Sequence, residues 1–174
     1  MRKIILLSDT HHSLDKRFIP YLSDVDEIWH AGDIGSINIL DELNQYAEVK
    51  AVWGNIDNAI IRSELKKTLY FKCEQVKVMM THIGGYPGKY NKAILSNIKD
   101  AKPNLFISGH SHILKIMYDK ELDLLHMNPG AIGDFGIHKV KTIVSFTIDE
   151  EKINSLKVIE FPRKNITEFY QQTL

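Results

Sequence analysis

A chain of 174 residues, 44% hydrophobic with ten glycines and five prolines, is long enough to bury a sizeable core and suits one compact domain over residues 1–174. Its twenty-two basic residues offset twenty-two acidic ones, which argues against holding nucleic acid or anionic lipid by bulk charge. A single Cys73 can form no intramolecular disulfide, and the apolar run after Arg2 and Lys3 is too short for a signal-peptide core or a bilayer span, so a cytoplasmic protein with no membrane partner is expected.

Along the chain, apolar runs alternate with segments of helical spacing. Residues 4–7 read as a strand that ends just before Ser8-Asp9-Thr10-His11. Pro20 limits a helix over 15–22, and the next strand holds Ile28 and Trp29, ahead of Gly32-Asp33. Ser36 is placed to cap a helix in which Ile37, Leu40 and Leu43 recur every three residues. The run 49–53 leads into Gly54-Asn55, and the run 76–80 into Thr81-His82. Tyr90, Ile94 and Ile98 mark another helix, with Gly88 before it and Pro103 beyond it. Residues 105–107 then precede Gly109-His110-Ser111-His112. Alternation of this kind implies largely parallel pairing. Four strands follow at 113–118, 122–127, 142–148 and 153–161, the last two joined by a polar hairpin connection at 149–152. The second half is therefore expected to form a second, more antiparallel sheet that faces the first, with helices outside both.

Asp9, His11, Asp33, Asn55, His82, His110 and His112 all lie just beyond apolar runs, where open α/β sheets place their ligands. Carboxylate, amide oxygen and imidazole together suit borderline divalent ions such as manganese, iron or zinc. Residues two apart in an extended segment point the same way, so Asp9 and His11 can converge on one ion. His110 and His112 share that spacing, or a sharp turn after Gly109 aims them at different ions. Seven candidates exceed one tetrahedral site. A pair of ions about 3.5 to 4 Å apart that share a bridging carboxylate would use them all. Gly32, Gly54 and Gly109 are expected to supply permissive backbone dihedrals beside the metal.

The ordered set Asp9-x-His11, Gly32-Asp33, Gly54-Asn55, His82 and Gly109-His110-x-His112 resembles the signature of the calcineurin-like metallophosphoesterases. The opening Ser8-Asp9-Thr10-His11, together with His30-Ala31-Gly32-Asp33, Gly54-Asn55-Ile56-Asp57 and Asn128-Pro129-Gly130, is similar to the small bacterial and archaeal phosphodiesterase subfamily, from Arg2 to about Gly130. The resemblance implies an α/β fold, a four-layer αββα sandwich of two mixed β-sheets flanked by helices. It implies two divalent ions, Mn2+ first, with Zn2+, Fe or Ni2+ as alternatives. Asp9, His11 and His112 would hold one ion and Asn55, His82 and His110 the other, with Asp33 bridging. Asp33, Asn55 and His82 would then act in catalysis through the metals. The implied activity is hydrolysis of a small-molecule phosphate ester, a diester above all, by a hydroxide that the dinuclear centre activates.

One departure bears on chemistry. Many superfamily members place a His directly after the metal-binding Asn, where it protonates the leaving alcohol; here the position is Ile56. Such help is commonly worth about 10² to 10⁴ in rate, so diesters and activated aryl esters are expected over alkyl monoesters. Asp57 is read as fixing the turn, and His12, where the subfamily carries Gly, as exposed. The segment 131–139 lacks the Ser and the Pro-Arg pair common in relatives. His30 and His126 are expected to support the ligands or the core, Trp29 and Trp53 to pack in strands, and Tyr86, Lys89 and Tyr90 to form a solvated loop near His82. Cys73 is taken as a small residue near a strand end, and Asn165-Ile166-Thr167 as carrying no glycan in a cytoplasmic chain. Substrate-binding residues cannot be read from the sequence. A non-catalytic metal-binding scaffold, like the metallophosphoesterase-fold subunit of the retromer coat, is the alternative. It is disfavoured because all seven positions are intact. A nuclease finds no basic surplus to support it.

Overall fold

The computed structural model describes residues 1–163. In chain order its elements are β1 (Arg2–Leu7), a 3-10 helix (Lys16–Tyr21), β2 (Glu27–His30), α1 (Ile37–Asn44), β3 (Glu48–Ala51), α2 (Ala59–Glu64), β4 (Thr68–Cys73), β5 (Val76–Thr81), α3 (Lys92–Ala101), β6 (Leu105–Ile107), β7 (Leu114–Asp119), β8 (Leu124–Pro129), β9 (Val140–Asp149) and β10 (Lys152–Pro162). They form two five-stranded mixed sheets, ordered β10-β9-β1-β2-β3 and β4-β5-β6-β8-β7.

Strands that are apolar on both faces account for the layering. In β1, Ile4 and Leu6 point between the sheets, where they meet Trp29, Val78, Met80, Leu105, Ile107 and Phe146. Ile5 and Leu7 point outward onto Phe18, Leu40 and Leu43 of the 3-10 helix and α1. The second sheet repeats this logic, with Met79 and Phe106 turned out against Ile94 and Ile98 of α3. Helix, sheet, sheet and helix are thus the four expected layers. Trp29 is fully buried, with its ring edge-on to Phe71 at 4.9 Å and Phe146 at 5.6 Å. Its indole N–H donates to Glu27 Oε2 at 2.7 Å, so this large side chain contributes about 1.5–3 kcal/mol of burial with no orphaned donor. Cys73 closes β4 as a buried residue whose thiol burial pushes up to about 11.

The sheets do not divide along the halves of the chain as expected. β9 pairs antiparallel with β1, placing Phe146 beside Ile4 and Val144 beside Leu6, and β10 then pairs with β9. The C-terminal hairpin therefore covers the edge that the parallel set β1-β2-β3 would otherwise leave open. β4, where Thr68, Tyr70 and Lys72 break up any apolar run, pairs antiparallel with β5. The helix expected around Tyr90 begins after it. Asn91 caps α3 by accepting from the N–H groups of Ala93 and Ile94, and Lys102, at φ 46°, ends it just before Pro103. Ser36 caps α1 as expected, and the segment around Pro20 is a 3-10 helix. Short α2 leaves no sign in the sequence, because six residues are too few to show a helical period.

Register sets up the site. Leu7, His30 and Ala51 lie side by side at the ends of three parallel strands. Met80, Ile107 and Met127 lie side by side near the ends of β5, β6 and β8 in the other sheet. The loops after β1, β2, β3, β5 and β6 carry the candidate ligands. Asn165-Ile166-Thr167 falls outside the described residues. Among those described, no helix is long and apolar enough to cross a membrane.

Candidate metal centre

The loop after β1 is zipped to the loop after β2. The N–H groups of Asp9, His11 and His12 donate to the carbonyls of Gly32, Asp33 and Ile34 at 2.9, 3.1 and 3.1 Å. His30, fully buried, holds the zip from beneath: its Nδ1 accepts from Gly32 N–H at 3.1 Å and its Nε2 lies 3.0 Å from Thr10 Oγ1. The Thr10 hydroxyl in turn donates to Ile34 O at 2.9 Å. With Nδ1 accepting, the proton belongs on Nε2, and burial pushes this imidazole down to about 4, so it stays neutral. His30 therefore supports both ligand loops, as expected.

Two groups of side chains converge. Asp9, His11 and His112 form one, and Asp33, His82 and His110 the other; within each, the potential ligand atoms all lie within 4.8 Å of one another. Asn55 joins the second, its Oδ1 3.2 Å from His82 Nε2. Asp33 faces both groups, with Oδ1 3.2 Å from His82 Nε2 and Oδ2 3.6 Å from His11 Nε2. All seven expected residues are thus brought together, and the partition follows the one the resemblance implies.

The means of convergence differs from the expectation. Asp9, His11, Asp33, His110 and His112 are not extended; their φ angles run from 44° to 69°. This left-handed region is sparsely used by residues other than glycine, though Asp and His enter it more readily than most. Strained backbone thus aims five of the seven side chains. The glycines also act differently from expectation. Gly32 does need its φ of 95°, and a Cβ there would lie 2.8 Å from His82 Cβ. Gly54 and Gly109 sit outside the left-handed region and are required for space, because a Cβ at either would strike Asp33 or Ser8.

Electrostatics fit a cation. Asp9 Oδ2 accepts from His110 N–H at 3.2 Å, whereas Asp9 Oδ1 is buried with no hydrogen-bond partner. A buried carboxylate oxygen left this way is costly unless something positive meets it. His112 Nε2 lies 3.2 Å from that oxygen. His82 donates Nδ1–H to Ala31 O at 2.8 Å, leaving Nε2 to face Asp33 and Asn55, the arrangement in which imidazoles bind metal. Burial lowers His11, and the nearby Asp33 and Asp9 only partly oppose it. At His82 burial also acts against the charged form, but the hydrogen bond to Asp33 and the charge of Asp9 outweigh it and raise the group. Burial would raise the Asp33 carboxyl; His82 and the Ile56 N–H outweigh that and lower it.

Residues outside the expected set frame the centre. Asp57 fixes two loops, accepting from Gly35 N–H and Gly54 N–H at 2.7 Å each. Segment 131–139 closes the His11 side: Gly133 N–H donates to Asp9 O at 3.0 Å, the Phe135 ring lies 4.9 Å from His11, and His138 lies 5.2 Å from His112. Buried Lys141 anchors that segment through Asp134 at 2.6 Å and Asp15 at 3.0 Å. The clue for Lys141 is a lone cation within an apolar strand. Phe135 and His138 give none, since nothing local ties them to the ligands. His12 is exposed, as expected. Tyr90 is no part of a solvated loop: its hydroxyl donates to Asp119 at 3.0 Å and its ring packs on Phe106.

Residues 1–151 match the model of the calcineurin-like phosphoesterase superfamily domain. A probable metallophosphoesterase of Methanothermobacter thermautotrophicus is 31% identical over 132 residues, covering 72% of this chain and 74% of that one. Among solved structures, zinc-complexed Vps29 of Entamoeba histolytica superposes with a TM-score of 0.71 at 17% identity, over 93% of this chain and 99% of that one. A Streptococcus pneumoniae protein described as a predicted phosphoesterase does so at 0.67 and 22%, over 93% and 90%. At such identities the two structures speak for the fold alone. The chain belongs to the calcineurin-like phosphoesterase superfamily.

Proposed function

We propose that the protein is a phosphodiesterase that hydrolyses small organophosphate diesters with two divalent ions, manganese first among them. The observation that carries this reading is Asp33, whose two carboxylate oxygens face two separate groups of imidazole and carboxylate ligands. Asp9, His11 and His112 would hold one ion, Asn55, His82 and His110 the other, and Asp33 both. Ions bound there would neutralise charge on the phosphoryl group and make hydroxide available near neutral pH.

The chain's own groups do the positioning. Ala31 O fixes the His82 ring, and the Ile56 N–H, donating at 3.0 Å to Asp33 Oδ1, holds the shared carboxylate. Ile56 offers backbone but no proton at the position from which a leaving alcohol would be protonated. Leaving groups that depart as stable anions are therefore favoured, and with them diesters carrying an aryl arm.

The scaffold alternative draws on the likeness to Vps29, which is a likeness of fold. Against it stands the completeness of the set of seven converging side chains; the orphaned Asp9 oxygen asks for a cation under either reading. Hydrolysis of bis(4-nitrophenyl) phosphate and 4-nitrophenyl phosphate by manganese-loaded and metal-stripped protein decides between them. Metal-dependent turnover that favours the diester supports the proposal, and no turnover of either by folded, loaded protein contradicts it.

A further inference from the structure

Beside the second ligand group, on the outer face of the second sheet, lies a cavity of about 250 Å³. Its wall on the metal side is His110. Its mouth is flanked by Ile83 and Ile113, each the residue directly after a candidate ligand and respectively 43% and 64% exposed. Tyr86 also lines it, with Lys115 Nζ 4.2 Å from the centre of its ring. His126 lies at the floor, buried, with both ring nitrogens unpartnered. Nothing in the metal chemistry needs two exposed isoleucines or an orphaned histidine. A mainly apolar lining with a few polar groups, here His126, Ser111 and Asn128, is what organic ligands select.

We infer that this cavity is a specificity pocket for one arm of the phosphate ester, a flat, mainly apolar group such as an aryl ring. The inference rests on the metal centre proposed above and adds to it the substrate class. With phosphorus at the ions, an aryl arm passes His110 and packs between Ile83, Ile113 and Tyr86. Lys115 adds a cation at the rim, which favours an anionic ester. The volume is ample for a ring, since an apolar cavity of about 150 Å³ already takes benzene.

Binding of phenylphosphonate and methylphosphonate to manganese-loaded protein, followed by calorimetry, tests this without turnover. Burying a ring rather than a methyl group is expected to tighten binding about tenfold or more. That preference should fall towards unity in Ile83→Ser and Ile113→Ser. Manganese stoichiometry, measured in each variant, separates loss of the pocket from loss of the fold. Equal affinity for the two phosphonates, or a phenyl preference that survives both substitutions in metal-loaded protein, would overturn the pocket while leaving the metal centre standing. If manganese binds and neither phosphonate does, the phosphoesterase reading falls and the pocket with it.

Discussion

The Nε2 atoms of His11 and His112 stand 3.2 Å apart, although 101 residues separate them in sequence. Two imidazole nitrogens this close share the N–H of one neutral ring or face a common cation. Burial disfavours the charged form of His11, while the orphaned Asp9 Oδ1, 3.2 Å from His112 and 3.9 Å from His11, still lacks a positive partner. A divalent cation relieves all three groups together.

Metal should therefore stabilise the fold. At a free concentration one hundred times its Kd, an ion bound only by the folded state adds about 2.7 kcal/mol. For a chain of this size that is roughly 5–10 °C in Tm. Thermal unfolding with manganese and with chelator measures the difference, and coincident curves would contradict it.

Gly32→Ala should be more damaging than a surface glycine change. The substitution forces alanine to φ 95° and drives its Cβ to 2.8 Å from His82, at a cost of about 1–3 kcal/mol. Chemical denaturation is expected to show that loss together with weaker manganese binding. A variant as stable as the wild type would argue against the close packing at this turn.

Ile56→His tests the leaving-group argument directly. Position 56 is 39% exposed and already donates its backbone N–H to Asp33, so an imidazole can be accommodated. Hydrolysis of alkyl monoesters should rise by up to about 10², with much less change for a nitrophenyl diester. Equal effects on both would mean that leaving-group protonation does not limit this enzyme.

His126 should make stability depend on pH. Burial lowers it from 6.5 to about 4 in the folded protein. Between those values the unfolded chain binds a proton that the folded chain excludes. Its contribution is therefore intact above pH 6.5 and falls as pH drops towards 4, by about 3 kcal/mol at most. His126→Phe should flatten this part of the profile, as measured by urea unfolding at pH 7 and pH 5. An unchanged slope would show that the ring is not buried neutral.

What was legible in the sequence follows from its physics. Asp9, Asp33, His82 and His110 could be placed because apolar runs mark strand ends, and strand ends in register share an edge. The core could be read from runs such as Ile4 to Leu7, which are apolar on both faces. Partnering of strands could not, because β9 carries an apolar pattern that would suit either sheet; only the open edge of β1 decides it. Local spacing also misled. Asp9 and His11 converge through left-handed turns rather than an extended segment, and Gly54 and Gly109 answer to neighbours far away in sequence. Phe135 and the pocket floor at His126 arise from tertiary packing and leave no local trace.

The proposed chemistry stands on one carboxylate that joins two ions. Manganese titration of the metal-free protein, read by electron paramagnetic resonance, tests it most directly. Two ions per chain with an exchange-coupled signal, lost in Asp33→Ala that still folds, is the expected result. A stoichiometry of one, or two uncoupled ions indifferent to Asp33, would contradict the dinuclear centre.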